Sequence, residues 1–243
     1  MTTRERADRL LVARGLFDSR AKAQAAIAAG RVTADDRPVR KPSDEIALDA
    51  RIEAGAAFPW VSRGGVKLAH ALDALAVEVA GHVCLDVGAS TGGFTEVLLW
   101  RGARRVFAVD VGRDQLHARL RARPEVVSLE QTDIRTLDPA RLGDPPDLVV
   151  IDASFISLKL VLPAALALAA PRAWLVALVK PQFEVPRRNR KKGVVRDPAL
   201  HAAVCADIGD VVASLGWSVT ATLPSPIEGG EGNREFFIGA RRD

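Results

Sequence analysis

Two ionisable side chains stand where apolar strands are expected to end. Leu148-Val149-Val150-Ile151 runs into Asp152, and Trp174-Leu175-Val176-Ala177-Leu178-Val179 runs into Lys180. If both strands end at the same edge of one sheet, the carboxylate and the amine come within ion-pair reach. A charge buried at a strand end without partner or ligand is costly, so the pair marks a candidate site. A second stretch with chemical content is Val83-Cys84-Leu85-Asp86-Val87-Gly88-Ala89-Ser90-Thr91-Gly92-Gly93-Phe94. It reads as a buried strand, a turn of small residues and the start of a helix. Such a turn offers backbone N–H groups at the carboxyl edge of a sheet, where open α/β sheets bind ligands.

Several signatures compete for that turn. A P-loop requires Lys after its second Gly, and Phe94 follows Gly93. A dinucleotide fingerprint requires Gly where Ser90 stands. Gly88-Ala89-Ser90-Thr91-Gly92 does fit a nucleophile elbow, with Asp152 and His201 following in hydrolase order. That elbow normally follows several strands, whereas here the strand is the first, and no His-Gly-Gly-type oxyanion segment is visible. An NAD-type or unspecialised α/β domain is the plainest alternative. The remaining reading uses acids: Asp86 opens the turn, Asp110 ends the second strand where a ribose diol could donate to it, and a further acid stands at Thr132-Asp133-Ile134. This set resembles the S-adenosylmethionine site of Rossmann-like methyltransferases. The resemblance implies cofactor contacts from Asp86, Gly88, Ser90, Thr91, Gly92, Gly93, Phe94, Asp110 and Asp133.

The elements that must position these residues alternate. Strands are expected at 83–87, 105–110, 126–130 and 147–152, separated by helices at 93–101 and 115–122. A helix near 157–169, the strand ending in Lys180, a helix at 198–215 and strands near 217–223 and 235–240 complete the series. Alternation of this kind implies an α/β fold with a mostly parallel seven-stranded sheet and helices on both faces. Ser62-Arg63-Gly64-Gly65 opens a further helix carrying Lys67 in its first turn.

Ahead of this lies a smaller α+β unit. Helical spacing at 5–15 and 19–29 is punctuated by Gly15 and Gly30, with Ser19 a plausible N-cap, and short extended pieces follow. Arg9, Leu10, Leu11, Gly15, Ser19, Arg20, Ala25, Ile27, Gly30, Val32, Lys41 and Pro42 make the unit resemble an S4 RNA-binding domain. Residues 54–61, small residues and then a Pro-Trp pair, read as a linker. The division expected is therefore 1–55, a linker at 56–61, and a catalytic domain at 62–243. Residues 1–60 hold 11 Lys+Arg against 9 Asp+Glu. RNA contacts must therefore come from clustering, with Arg9, Arg20, Lys22, Arg31, Arg40 and Lys41 as candidates. Arg63 is counted with them, as is the run Arg187-Arg188-Asn189-Arg190-Lys191-Lys192, whose position after the Lys180 strand suits a phosphate clamp.

Composition narrows the classes. The net charge is +4, with 48% hydrophobic and 26% charged residues, which is the balance of a soluble globular protein that tolerates an RNA partner. Two cysteines, Cys84 and Cys205, give no disulfide framework, so a reducing cytoplasm is expected. Four scattered histidines show no metal-ligand spacing, and no metal is expected. The aliphatic run from Leu160 to Pro171 is too short for a bilayer, which takes about 20 residues.

The motifs Ser62-Arg63-Gly64-Gly65-x-Lys67-Leu68, Asp86-x-Gly88 through Thr95, Asp152-x-Ser154-Phe155-Ile156-Ser157, Lys180-Pro181-Gln182-Phe183-Glu184 and Gly193-Val194-Val195-Arg196-Asp197 occur in order. Ser225-Pro226-Ile227 and Gly232-Asn233-Arg234-Glu235-Phe236 follow. Together they resemble the TlyA family, known both as haemolysins and as FtsJ-type ribosomal RNA ribose methyltransferases. The resemblance implies a Lys-Asp-Lys-Glu catalytic set at Lys67, Asp152, Lys180 and Glu235. It further implies S-adenosylmethionine as cofactor and a cytidine ribose in ribosomal RNA as acceptor. The chain stops at Asp243, and longer-tailed members are those associated with both subunits, so the large subunit is the expected target. A departure is Phe58, where the family linker carries Arg two residues before Trp. In this chemistry Lys180 is expected beside the ribose oxygen, oriented by Asp152, with Lys67 and Glu235 framing the ribose. A free Lys titrates near 10.4, about 3 units too high for a base near pH 7. Asp152 opposes that lowering and Lys67 favours it, so a charged Lys180 that steadies the oxyanion is preferred.

Overall fold

The computed structural model describes residues 3–186, 193–229 and 232–243. It divides into two compact units, Met1–Pro59 and Trp60–Asp243. In the first, β1 (Arg4–Arg6) leads into α1 (Ala7–Ala13) and α2 (Arg20–Ala28). These are followed by β2 (Val32–Ala34), β3 (Arg37–Pro38), β4 (Glu45–Ala47) and β5 (Ile52–Ala54). The helices are those the spacing predicts, each a little shorter. Strand β1 is unreadable in advance because Arg-Glu-Arg has no apolar alternation, and it pairs antiparallel with β4. Leu10, Leu11, Phe17, Ile27, Val32 and Ile46 form the unit's own core. Ser19 caps α2 by accepting from Lys22 N.

The second unit begins with α3 (Gly64–Ala74), β6 (Val83–Val87), α4 (Gly93–Trp100), β7 (Arg105–Val109), α5 (Ala118–Arg121) and β8 (Val126–Leu129). It continues with β9 (Leu148–Ile151), α6 (Leu158–Ala167), β10 (Ala173–Val179), α7 (Pro181–Glu184), α8 (Pro198–Ser214), β11 (Ser218–Pro224) and β12 (Phe236–Arg242). The seven strands lie in the order β11-β12-β10-β9-β6-β7-β8. Helix crossovers make β10, β9, β6, β7 and β8 parallel. Strand β12 lies antiparallel to both β11 and β10.

Both faces of the sheet are covered. Leu85, Phe107, Ile151 and Leu175 pack with Leu162 of α6 and Ile208 of α8. On the other side Val106, Leu148 and Leu178 pack with Leu68 of α3 and Leu98 of α4. The expected helix at 115–122 is reduced to one turn, Ala118–Arg121. Ahead of that turn, the backbone N–H groups of Asp114, Gln115 and Leu116 are taken by the Glu130 carboxylate.

Candidate active site

The chain runs from β6 outward through β7 to β8 and then returns to β9 on the other side of β6. The gap between β6 and β9 is therefore the switch point of the sheet, where a ligand crevice opens above the strand ends. Gly88 stands there with φ +84, and an added Cβ would lie 2.7 Å from Asp152 O. Only a glycine lets the two strand ends approach this closely. Gly92 caps α4 with φ +95, and a Cβ there would strike Leu120 and Leu116.

Two cavities meet at this point. The larger, about 500 Å³, is lined by Val87, Gly88, Ser90, Asp110, Val111, Gln115, Asp133, Ile134, Asp152 and Phe155, among others. That volume suits a small-molecule ligand. The smaller, about 250 Å³, is lined by Ser62, Arg63, Gly64, Lys67, Thr91, Gly93 and Phe94 together with Gly88, Ser90, Asp152 and Ser154. Gly88, Ser90, Asp152 and Ser154 line both.

The charged residues are arranged in two pairs. Lys180 Nζ donates to Ser154 Oγ at 2.7 Å. It also lies 2.6 Å from Asp152 Oδ1, an ion pair at an angle outside hydrogen-bond geometry. Lys67 Nζ donates to Glu235 Oε2 at 2.5 Å, with side chains only 8% and 3% exposed. The reversal of β12 creates this second pair. Register Val179↔Phe236 sets Glu235, just before β12, beside the strand end that carries Lys180. Lys67 is thus paired with Glu235, apart from the Lys180 pair.

The acids beneath and along the crevice differ in state. Asp86 is fully buried; its Oδ2 accepts from Thr95 Oγ1 at 2.6 Å, and its Oδ1 has no partner among the described residues. Burial pushes this carboxyl up to about 7, against the opposing Thr95 hydrogen bond. Asp110 accepts from Ser90 N at 2.8 Å and Gly112 N at 2.7 Å, which fastens the glycine turn to the end of β7. Asp133 accepts from Arg135 Nη2 at 2.6 Å, and that guanidinium holds its carboxyl below the usual carboxylate range.

Sequence reasoning missed several residues here. Ser154, the second anchor of Lys180, lay unassigned in the Asp152-x-Ser154 motif. Val111 and Ile134 give the larger cavity apolar walls. Phe155 is 91% exposed with φ +66 and rests against Phe183 at 5.2 Å between ring centres. An exposed ring in a strained backbone has no core role to explain it. Glu184 accepts from Ser157 Oγ and from Leu158 N at 2.8 Å, joining the loop after β9 to the helix after Lys180.

The hydrolase alternative does not assemble. His201 makes its ring hydrogen bond with Val195 O at 3.0 Å, and Asp152 belongs to Lys180. No group of His, Cys, Asp and Glu among the described residues could hold a metal ion. Nor is any described helix long and apolar enough to cross a membrane.

The RNA-facing candidates fall in both units. Arg9 pairs with Glu5, Lys22 with Asp18, and Arg20 with the buried Asp8 at 2.7 Å. Asp8 also accepts from Arg6 and Gln24, so Arg6, overlooked in the sequence, is presented beside Arg20. Arg31, Arg40 and Lys41 are exposed in the first unit. Arg63 is exposed at the mouth of the smaller cavity. Arg187, Arg188, Arg190, Lys191 and Lys192 lie outside the described residues.

Strand order, the glycine turn at the switch point and the acid-lined cavity define a Rossmann-like methyltransferase. The FtsJ-like methyltransferase family matches residues 60–242, and the S4 domain matches residues 5–52. The chain belongs to the TlyA family of FtsJ-like methyltransferases. It is 48% identical to the 16S/23S rRNA (cytidine-2′-O)-methyltransferase TlyA of Mycobacterium tuberculosis, over 99% of this chain and 91% of that one. It is 38% identical to the 23S rRNA (cytidine-2′-O)-methyltransferase TlyA of Campylobacter jejuni, over 73% of this chain and 69% of that one. A solved structure from Streptococcus thermophilus, named a hemolysin, is 38% identical and superposes with a TM-score of 0.79, covering 100% of this chain and 90% of that one.

Proposed function

We propose that the protein transfers a methyl group from S-adenosylmethionine to the 2′-hydroxyl of a cytidine ribose in ribosomal RNA, in the large subunit. The observation that carries this reading is the position of Asp152 and Ser154. Both line the two cavities, and both hold Lys180 Nζ. The larger cavity would take the adenosyl group, with Asp110 at the ribose and Val111 and Ile134 against the base. The smaller would take the acceptor ribose, with Arg63 toward phosphate. The unpartnered Asp86 Oδ1 and the apolar walls fit a cationic adenosyl ligand. The relatives' names share the 23S target, which favours the large subunit, in a cytoplasmic setting.

S-adenosylmethionine, when bound, supplies a methyl group on a positively charged sulfur. The chain's own contribution is chiefly orientation of the acceptor in line with it. Lys180, held by Asp152 and Ser154, donates toward the 2′-oxygen as its charge develops. The reaction releases one proton, and Asp152, lining both cavities, is placed to pass it to solvent. Lys67 and Glu235 neutralise each other and fix the floor beneath the ribose. Labelled-methyl transfer to separated ribosomal subunits tests this reading. Label in large-subunit RNA is expected, and none in either subunit contradicts it.

A pH dependence follows from Asp86. Its carboxyl is pushed up to about 7 in the free protein, so below that pH it is neutral. A cationic ligand favours the carboxylate, and binding then releases a proton. Affinity for S-adenosylmethionine should rise by up to about tenfold per pH unit between about pH 5 and 7, then level off. Asp86→Asn should flatten the profile in calorimetric titrations, and an unchanged slope would remove Asp86 from the account.

A further inference from the structure

The wall of the larger cavity facing the glycine turn is residues 110–116, and its construction has no explanation in the contacts already assigned. Asp114 holds a left-handed backbone at φ +53, a conformation that Asp and Asn adopt more readily than other non-glycine residues. Glu130 gives its whole carboxylate to this loop. Oε1 accepts from Gln115 N at 2.6 Å and Leu116 N at 2.8 Å, and Oε2 from Asp114 N at 3.1 Å. Those N–H groups, the Leu116 one foremost, hold the Glu130 carboxyl below its ordinary range.

What this scaffold fixes is Gln115. A Cβ built on Gly112 would fall 1.8 Å from Gln115 Nε2 and 3.0 Å from Asp110 Oδ1. The amide therefore lies on the bare glycine, and amide and carboxylate flank the same point. The Gln115 side chain makes no hydrogen bond among the described residues, yet it lines the cavity beside Asp110. Asp110 can only accept, and each of its oxygens already takes one backbone N–H. A ribose diol both donates and accepts, so a carboxylate alone leaves the hydroxyl lone pairs unserved. A primary amide beside it supplies the missing donor.

We propose that Gln115 is a second ribose-binding side chain, donating from Nε2 to a hydroxyl of the adenosyl group, and that Glu130 is the residue that positions it. This rests on the assignment of the larger cavity to an adenosyl ligand. Calorimetric titration of the full chain with S-adenosylhomocysteine and its 2′-deoxy and 3′-deoxy analogues tests it. The wild type should bind at least one deoxy analogue about tenfold more weakly than the parent. Gln115→Ala should weaken the parent by about the same factor and leave that analogue nearly unaffected, so that the discrimination collapses. Gly112→Ala, whose methyl takes the place of Nε2, and Glu130→Ala should do likewise. A purely structural role would weaken all three ligands equally and preserve the ratio, and that result overturns the proposal. Failure of the wild type to bind S-adenosylhomocysteine would instead overturn the cavity assignment and this inference with it.

Discussion

Lys180→Ala is expected to lower the single-turnover rate of methyl transfer by about 10³-fold while leaving S-adenosylhomocysteine affinity within about twofold of wild type. Lys180 Nζ is held by Asp152 and Ser154, the side chains common to both cavities, and itself lines neither. Its removal therefore takes away the cation at the acceptor oxygen without touching Asp110 or the apolar walls. Lys180→Arg keeps the charge, but the planar guanidinium cannot place a donor where the compact ammonium sits, so little rate should return. Rapid-quench kinetics and calorimetry on the same preparation separate the two effects. Equal losses in affinity and rate would make Lys180 a cofactor-binding residue and dismantle the mechanism.

The second large effect concerns stability. Lys67 and Glu235 are almost wholly buried and 2.5 Å apart. Replacing either alone with a neutral residue leaves an uncompensated charge, expected to cost about 3–5 kcal/mol. Lys67→Met with Glu235→Leu removes both charges and should recover most of that stability. Transfer activity should not recover, because the acceptor ribose loses its polar floor. Denaturant unfolding of the two single variants and the double variant measures this directly. A double variant as unstable as the sum of the singles would show that the pair is not one unit.

The sequence made one half of this site legible and hid the other. Asp152 and Lys180 announce themselves because each ends an apolar run, and in a parallel sheet that fixes the edge they occupy. The glycine turn is legible for the same reason: Gly88 and Gly92 sit where backbone must cross positive φ. Glu235 precedes its strand instead of following it. Only the antiparallel return of β12 places it at the carboxyl edge, and no local pattern encodes which strand β12 will join. Resemblance to a family supplied that residue, whereas periodicity could not. The spacing at 115–122 predicts more helix than the single turn that forms, and nothing local in it reveals that Glu130 binds the N–H groups ahead of that turn. Lys67 lay in the first turn of a readable helix, but its partner is 168 residues away in the chain. Val111, Gln115 and Phe155 have no distinctive type or spacing, and only the cavity identifies them.

The central claim is that the two cavities join a sulfonium methyl to a ribose oxygen across Asp152, Ser154 and Lys180. Nucleoside mass spectrometry of large-subunit RNA, after incubation with isotopically labelled S-adenosylmethionine, tests it most directly. The label should appear only in 2′-O-methylcytidine and be absent when the Lys180→Ala protein is used. Label on a base nitrogen or carbon, or undiminished 2′-O-methylcytidine with Lys180→Ala, would contradict the account.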